Sequence, residues 1–349
     1  MAKINIRSPY FINHTATNLT STTLEIVIYF GIANTSFGTP QYTLVSTAIN
    51  DKVNFEVSEL IKDYIDTEFD GAFPSTPVDI KESTTIFVDY RITETTTSGT
   101  TVLTPVYGVR AFYGYGYFED GANPTFDNVF YLQTNNRILK NTSSTVTIPV
   151  DNTIATRVDW LYQLATVSSV VLTPETKIEN QISYITNTGN FNVDEVAIIS
   201  SQKTVTVAID SYEKCKYTPI KLTFINKYGA YQEIWMFANS ILNMATTEER
   251  YKSNILTNGT YNTYDPQIKL LTKNANQTLT LNSDYYPESY NEIFRQLFLS
   301  EKVWIYYEGQ TLGVNIENKQ ITYKTSLTDS LINYTIDVSF AFDTINNIR

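Results

Sequence analysis

The sequence predicts a mainly β protein of two to three β-sandwich-type domains, with one amphipathic helix in the C-terminal domain. Three observations carry that expectation. Apolar residues recur at alternate positions in many short runs, which is the period of strands with one buried face. Turns rich in Gly and Asn separate those runs at hairpin spacing. Finally, 26 Tyr and 18 Phe among 349 residues supply the aromatic side chains that suit a pleated, half-buried surface.

Taken in chain order, Leu24, Ile26, Ile28 and Phe30 alternate with Glu25, Val27 and Tyr29. Val53, Phe55 and Val57 repeat the pattern and lead into Ser58-Glu-Leu-Ile-Lys-Asp-Tyr-Ile65. That segment reads as a two-turn helix with Ser58 as its N-cap and an acidic first turn. Ile86, Val88, Tyr90 and Ile92 mark another strand, as do Val205, Val207 and Ile209. Asn226-Lys-Tyr-Gly229 divides a hairpin between Lys221–Ile225 and Tyr231–Phe237. A further short helix is expected within 240–251.

From Pro287 to Leu299 the period changes. Tyr290, Ile293, Phe294, Leu297 and Phe298 fall at i, i+3, i+4, i+7 and i+8, so one stripe is apolar, with Pro at the start and Glu288 in the first turn. Glu308-Gly-Gln310 and Glu317-Asn-Lys319 then separate three short strands between Val303 and Thr325. Ile332, Tyr334, Ile336, Val338, Phe340 and Phe342 close the chain as its longest expected strand.

A chain of 349 residues exceeds what one core usually fills, so several domains are expected. Polar stretches at 141–152 and 252–266 give the boundaries: 1–150, an N-terminal β domain; 151–250, a middle sandwich of immunoglobulin size; 251–349, a C-terminal β domain holding the helix at about 287–299. No repeat of fixed period is visible.

Composition argues mostly by exclusion. The net charge is −11, which disfavours sequence-specific nucleic acid binding. One His (His14) and one Cys (Cys215) leave little for acid–base, thiol or zinc chemistry and no disulfide framework. The opening residues hold no apolar signal-peptide core. No apolar run approaches the ~20 residues of a membrane helix, so no membrane insertion is expected.

Candidate chemistry is thin. Asp66-Thr-Glu-Phe-Asp-Gly71 starts like a calcium loop, but Pro77 stands where the bidentate acid belongs, and a solvated turn is the better reading. Cys215, between Lys214 and Lys216, has no base or second thiol near it in sequence and is expected half-buried on a strand. His14 is expected at the surface. The adjacent pairs Glu119/Asp120 and Asp194/Glu195 are glycosidase candidates only by default, since neighbours on a strand face opposite ways. No catalytic, cofactor or metal residues are assigned, and an enzyme is not expected.

The most unusual segment is Tyr107 to Pro124, where Tyr113, Gly114, Tyr115, Gly116, Tyr117 and Phe118 alternate aromatics with glycine. It reads first as an aromatic strand with glycine bulges leading into a turn. If exposed, Tyr113, Tyr115, Tyr117 and Phe118, with Tyr228 and Trp235, are the expected interface anchors.

Ile4-Asn-Ile-Arg-Ser-Pro-Tyr-Phe-Ile12, Phe55 to Ile65, Tyr113 to Gly121, Cys215 to Ala230, Leu331 to Ile336 and Ile345 to Arg349 resemble stretches of a family of virion proteins. Its members come from tailed bacteriophages, including crAss-like phages and other phages of Bacteroidota and marine bacteria. The matches run along the whole chain and hold no catalytic residue to transfer. The resemblance implies a virion component of the tail or a ring near it, assembled in the host cytoplasm. Its expected partners are copies of itself in a ring and other tail, portal-proximal or baseplate proteins. A host-surface or carbohydrate-binding tail module is the alternative, and a polysaccharide-degrading enzyme ranks last.

Overall fold

The computed structural model describes residues 3–345 except 32, 66–68, 70, 72, 74–77, 82–84, 173–181, 189–191, 214–215 and 323–330. The acidic cluster at Asp66 and the thiol of Cys215 lie outside the described residues. The protein is mainly β, with several sheets and one helix longer than two turns. Its residues group into two compact units: 1–213, 223–234 and 292–301 in the first, 214–222, 235–291 and 302–349 in the second.

The first unit begins with β1 (Lys3–Asn5), β2 (Phe11–Thr15), β3 (Leu19–Tyr29), β4 (Tyr42–Thr47) and β5 (Lys52–Glu56). After the short helix α1 (Ser58–Lys62) come β6 (Val78–Lys81), β7 (Thr85–Thr96), β8 (Gly99–Val102) and β9 (Val106–Phe112). Strands β1-β9-β7-β3-β4 form one sheet, with β8 folded back on β7. Its first pair is parallel and the rest are antiparallel. Leu24, Ile26, Ile28, Ile86 and Val88 are all buried, as their alternation requires, but Phe30 is exposed just past the end of β3.

Helix α1 departs from expectation at its start. Val57, not Ser58, is the N-cap, and Ser58 is the first helical residue. The orphan Ser58 N–H donates to Glu56 Oε1 at 2.8 Å, so a carboxylate two residues upstream does the capping. The helix ends at Lys62, and Ile65 is reached through turns.

The remainder of the first unit is a β-sandwich. It uses β10 (Arg137–Asn141), β11 (Thr147–Asp151), β12 (Ala155–Tyr162), β13 (Ala165–Val171), β14 (Ile182–Thr186), β15 (Glu195–Ser200) and β16 (Thr204–Tyr212). Sheet β10-β16-β15-β12-β13 faces sheet β11-β14-β6 across a shared core. Ile148, Val150 and Ile185 from one layer meet Val158, Trp160, Val196, Ile198, Val207 and Ile209 from the other. Inward residues at every second position of both sheets are what builds a sandwich core.

Then follow β17 (Ile220–Ile225), β18 (Tyr231–Met236), β19 (Ser240–Lys252), β20 (Ile268–Asn282) and β21 (Tyr286–Pro287). A 3₁₀ turn (Glu288–Tyr290) leads into α2 (Asn291–Leu299), then β22 (Val303–Tyr307), β23 (Gln310–Ile316), β24 (Leu331–Ile332) and β25 (Thr335–Phe340). The α2 stripe is buried at Ile293, Phe294 and Leu297, as its periodicity predicts, and Gln296 is buried among them. In the second unit β22-β23-β25-β20-β19 run side by side, with β19 last among the described residues.

Two expectations fail here. Residues 240–251 form strand β19 rather than a helix, paired with β20 from Ser240↔Leu281 to Lys252↔Ile268. Met, Ala, Glu and Arg give that segment helix-like composition, but propensity is a weak prior beside a full ladder. The closing run is also not one strand. Its burial alternates through Phe340 as expected, yet the Tyr334 backbone bonds to Ser283 instead of the ladder, splitting β24 from β25. Phe342 is exposed, and the longest strand is β20 at 15 residues. Residues 320–322 are not strand, and 323–325, the rest of the expected third strand, lie outside the described residues.

Candidate functional site

The aromatic–glycine segment is a structural strap. Strand β9 stops at Phe112, and residues 113–117 continue as irregular backbone into a 3₁₀ turn at Phe118–Asp120. The glycines allow close approach of backbone to backbone. A Cβ on Gly114 would lie 2.7 Å from Lys227 O and 2.9 Å from Asn5 Oδ1, and one on Gly116 would lie 2.4 Å from Pro124 Cβ. Gly229, at φ +77°, meets Tyr113 N from the other side, and Tyr115 N–H donates to Lys227 O at 2.8 Å. We expect Gly114→Ala to cost about 1–3 kcal/mol, read as a lower urea midpoint; an unchanged midpoint would refute the close approach.

Within the first unit the tyrosines of the strap face inward. Tyr113, Tyr115 and Tyr228 are buried, and Tyr117 is half-buried. Tyr117 donates to Glu292 Oε1 at 2.6 Å, and the Arg295 guanidinium lies 3.6 Å from its ring centre. Burial first, and then the bond to Glu292, pushes its phenol far above the usual range. Burial likewise lifts Tyr115 and Tyr228 to about 12. Tyr113 donates to Glu301, which also takes Arg7 at 3.2 Å and Lys62 at 3.6 Å. Tyr115, Tyr117 and Tyr228 are therefore neutral at any physiological pH, and Tyr117 keeps the proton it donates to Glu292. Of the six expected anchors, Phe118 alone stands open, 98% exposed; in the second unit Trp235 is buried, its ring stacked on Phe237.

A buried ionic group in the first unit had no local signal. Asp151, fully buried, binds Arg110 Nη1 at 2.8 Å and Lys3 Nζ at 2.7 Å. Thr153 donates to the same carboxylate through both its N–H and its hydroxyl. Burial alone would raise the Asp151 pKa; the two cations outweigh it and hold it at about 2. Arg110 lays its guanidinium over the Phe112 ring at 4.7 Å, a contact that strengthens when desolvated. The three charges are about 40 to 150 residues apart in sequence, so no motif could have found them.

The remaining expected residues have plain placements. His14 is not a surface residue: it sits in β2, largely covered, with Nε2 2.8 Å from Glu94 Oε2. Asp120 accepts the Tyr117 N–H at 2.8 Å, and Asp194 accepts the Gln163 N–H at 2.9 Å, so both carboxylates hold turns. Among the described residues no three His, Cys, Asp or Glu side chains converge as metal ligands. No described helix is long and apolar enough to cross a membrane.

What stands out is the β19–β20 hairpin. All thirteen residues of β19 and the first six of β20 are exposed, a ladder about 40 Å long. Its tip is the two-residue turn Asn258-Gly259, at φ 53° and 80°, closed by both Thr257–Thr260 backbone bonds. This is the strongest short-range hairpin signal, hidden in a stretch whose polarity suggested a boundary. Ile241, Leu242, Met244, Ile268, Leu270 and Leu271 are each about half exposed or more. Leu242 lies opposite Leu279, and Leu279 and Leu281 of the same face are buried. On that face Leu242 and Met244 stand bare, followed by Thr246 and Glu248, while Ile241 lies on the opposite face; among the described residues β19 is an edge strand.

No protein-family model matches this chain, and no curated protein does.

The hairpin also differs from the rest in charge. Between 240 and 282, Arg250, Lys252, Lys269 and Lys273 outnumber Glu248, Glu249 and Asp265, giving +1 in a chain of −11. Bare apolar side chains, an edge strand with no described neighbour on its outer side and a charge opposite to that of the whole chain thus coincide on this hairpin.

Proposed function

We propose that this protein is a non-enzymatic structural component of a phage tail or tail-proximal ring, self-associating in a cyclic oligomer and docking other virion proteins. The observation that carries the self-association is the exposed β19–β20 hairpin. A strand of thirteen residues with no strand on its outer edge among the described residues is a ready template for another chain. A second copy is the partner proposed; two chains of net −11 repel overall, so the contact rests on the exposed apolar side chains and the open edge of β19. Heterologous contacts of this kind close into rings when the rotation between copies allows it. The virion setting rests on the global resemblance set out above, and assembly in the host cytoplasm goes with it.

The test is the mass of the purified full chain by light scattering across a dilution series. A discrete oligomer that dissociates on dilution is expected, and salt should favour it by screening the repulsion between acidic chains. A monomer at every concentration would refute self-association.

A further inference from the structure

The second unit contains an open cleft of about 620 Å³, lined by Tyr217, Tyr306, Tyr307, Lys216, Asn239 and Glu308 among others. Its volume is in the range of small-molecule sites. Three elements build it. The two-residue turn Glu308-Gly309 between β22 and β23, at φ 49° and 81°, sets a carboxylate at the rim. Tyr306 at the end of β22 is 50% exposed, and Lys221 Nζ lies 6.0 Å from its ring centre and 6.0 Å from that of Trp235. Asn239 accepts Asn282 Nδ2 at both its backbone oxygen and its Oδ1, which fixes the amide and leaves its Nδ2 to donate.

The lining selects a ligand class. The lining itself carries one ammonium, Lys216, and one carboxylate, Glu308, and the Lys221 ammonium beside it sits against the Tyr306 and Trp235 rings, so a phosphate or a polyanion would meet the Glu308 carboxylate. The polar groups exclude a purely apolar occupant, since burying them without partners is costly. Aromatic faces beside a carboxylate, an amide and an ammonium suit a molecule with one flat C–H face and a ring of hydroxyls. We propose that this cleft binds a neutral oligosaccharide, with one pyranose ring against Tyr306 and its hydroxyls shared by Glu308 and Asn239. The site lies at the base of the hairpin, where Ser240 of β19 lines it, and it is tested by ligand binding whether or not the chain forms rings.

Saturation-transfer NMR on the full chain tests this, with maltotetraose, cellotetraose, chitotetraose and mannotriose as probes at up to about 10 mM, the weak end of binding. At least one probe is expected to bind. Tyr306→Phe should retain it, while Tyr306→Ala and Glu308→Gln should each weaken it about tenfold. Both residues are exposed, so unchanged melting curves will verify the fold of each variant. Binding of none of the four probes, or binding unaffected by Tyr306→Ala and Glu308→Gln, would overturn the assignment.

Discussion

Replacing Leu242 and Met244 together with glutamate is expected to turn the assembled protein into monomers without unfolding it. Both side chains are exposed in the single chain, and substitutions at such positions usually change stability by within about 0.5 kcal/mol each. In an interface the arithmetic differs. Burying a Leu or Met side chain contributes about 1.5–3 kcal/mol, and a carboxylate in its place adds a desolvation penalty. Losing both anchors removes at least about 3 kcal/mol per contact, a factor above about 100 in the association constant. Every contact of a ring suffers the same loss, so closure should fail altogether. Asn243→Glu, which alternation puts on the other face of β19, should weaken assembly far less. Light scattering separates the outcomes: equal masses for wild type and the double variant would remove the hairpin from the interface.

Asp151→Asn is expected to be the most damaging single change to the fold, at about 3–5 kcal/mol. The shape is nearly conserved, but Lys3 and Arg110 are left as buried cations without a counter-charge. Against a typical total of about 5–15 kcal/mol, that is enough to unfold a large share of the protein at 37 °C. The pH dependence has a definite sign. The Asp151 pKa is about 2 in the folded chain against an ordinary 3.8, so its contribution is fully present above about pH 4. It is lost as the pH falls toward 2. Urea midpoints between pH 5 and pH 2 should therefore drop in the wild type and much less in Asp151→Asn. The triple change Lys3→Met, Arg110→Met, Asp151→Leu should recover much of the loss, because an apolar replacement of a buried ionic group is often neutral. A midpoint for Asp151→Asn equal to wild type would show that the group carries no stability.

The period-two runs were legible because each strand buries one face: Leu24, Ile26 and Ile28 on β3, and Val207 and Ile209 on β16, needed no neighbour to be recognised. The apolar stripe of α2 was legible for the same reason at its own period, and Glu308-Gly309 marked its hairpin by turn chemistry alone. What escaped is non-local. The strand state of 240–252 depends on β20, a ladder whose other half begins sixteen residues later. Tyr113, Tyr115 and Tyr117 looked like a strand face, yet the backbone leaves β9 because Gly114 and Gly116 are held against Lys227 and Pro124. Which aromatics are covered could not be read either: of the neighbours Tyr117 and Phe118, one is half-buried and the other fully open. The cleft at Tyr306 assembles residues from 216 to 309, and only the fold brings them together.

Electron cryomicroscopy of the purified full chain at its assembling concentration will show whether the long hairpin is the seat of self-association. A closed ring is expected in which β19, with Leu242 and Met244, lies against a neighbouring copy. A ring that leaves β19 bare to solvent, or particles no larger than one chain, would contradict it.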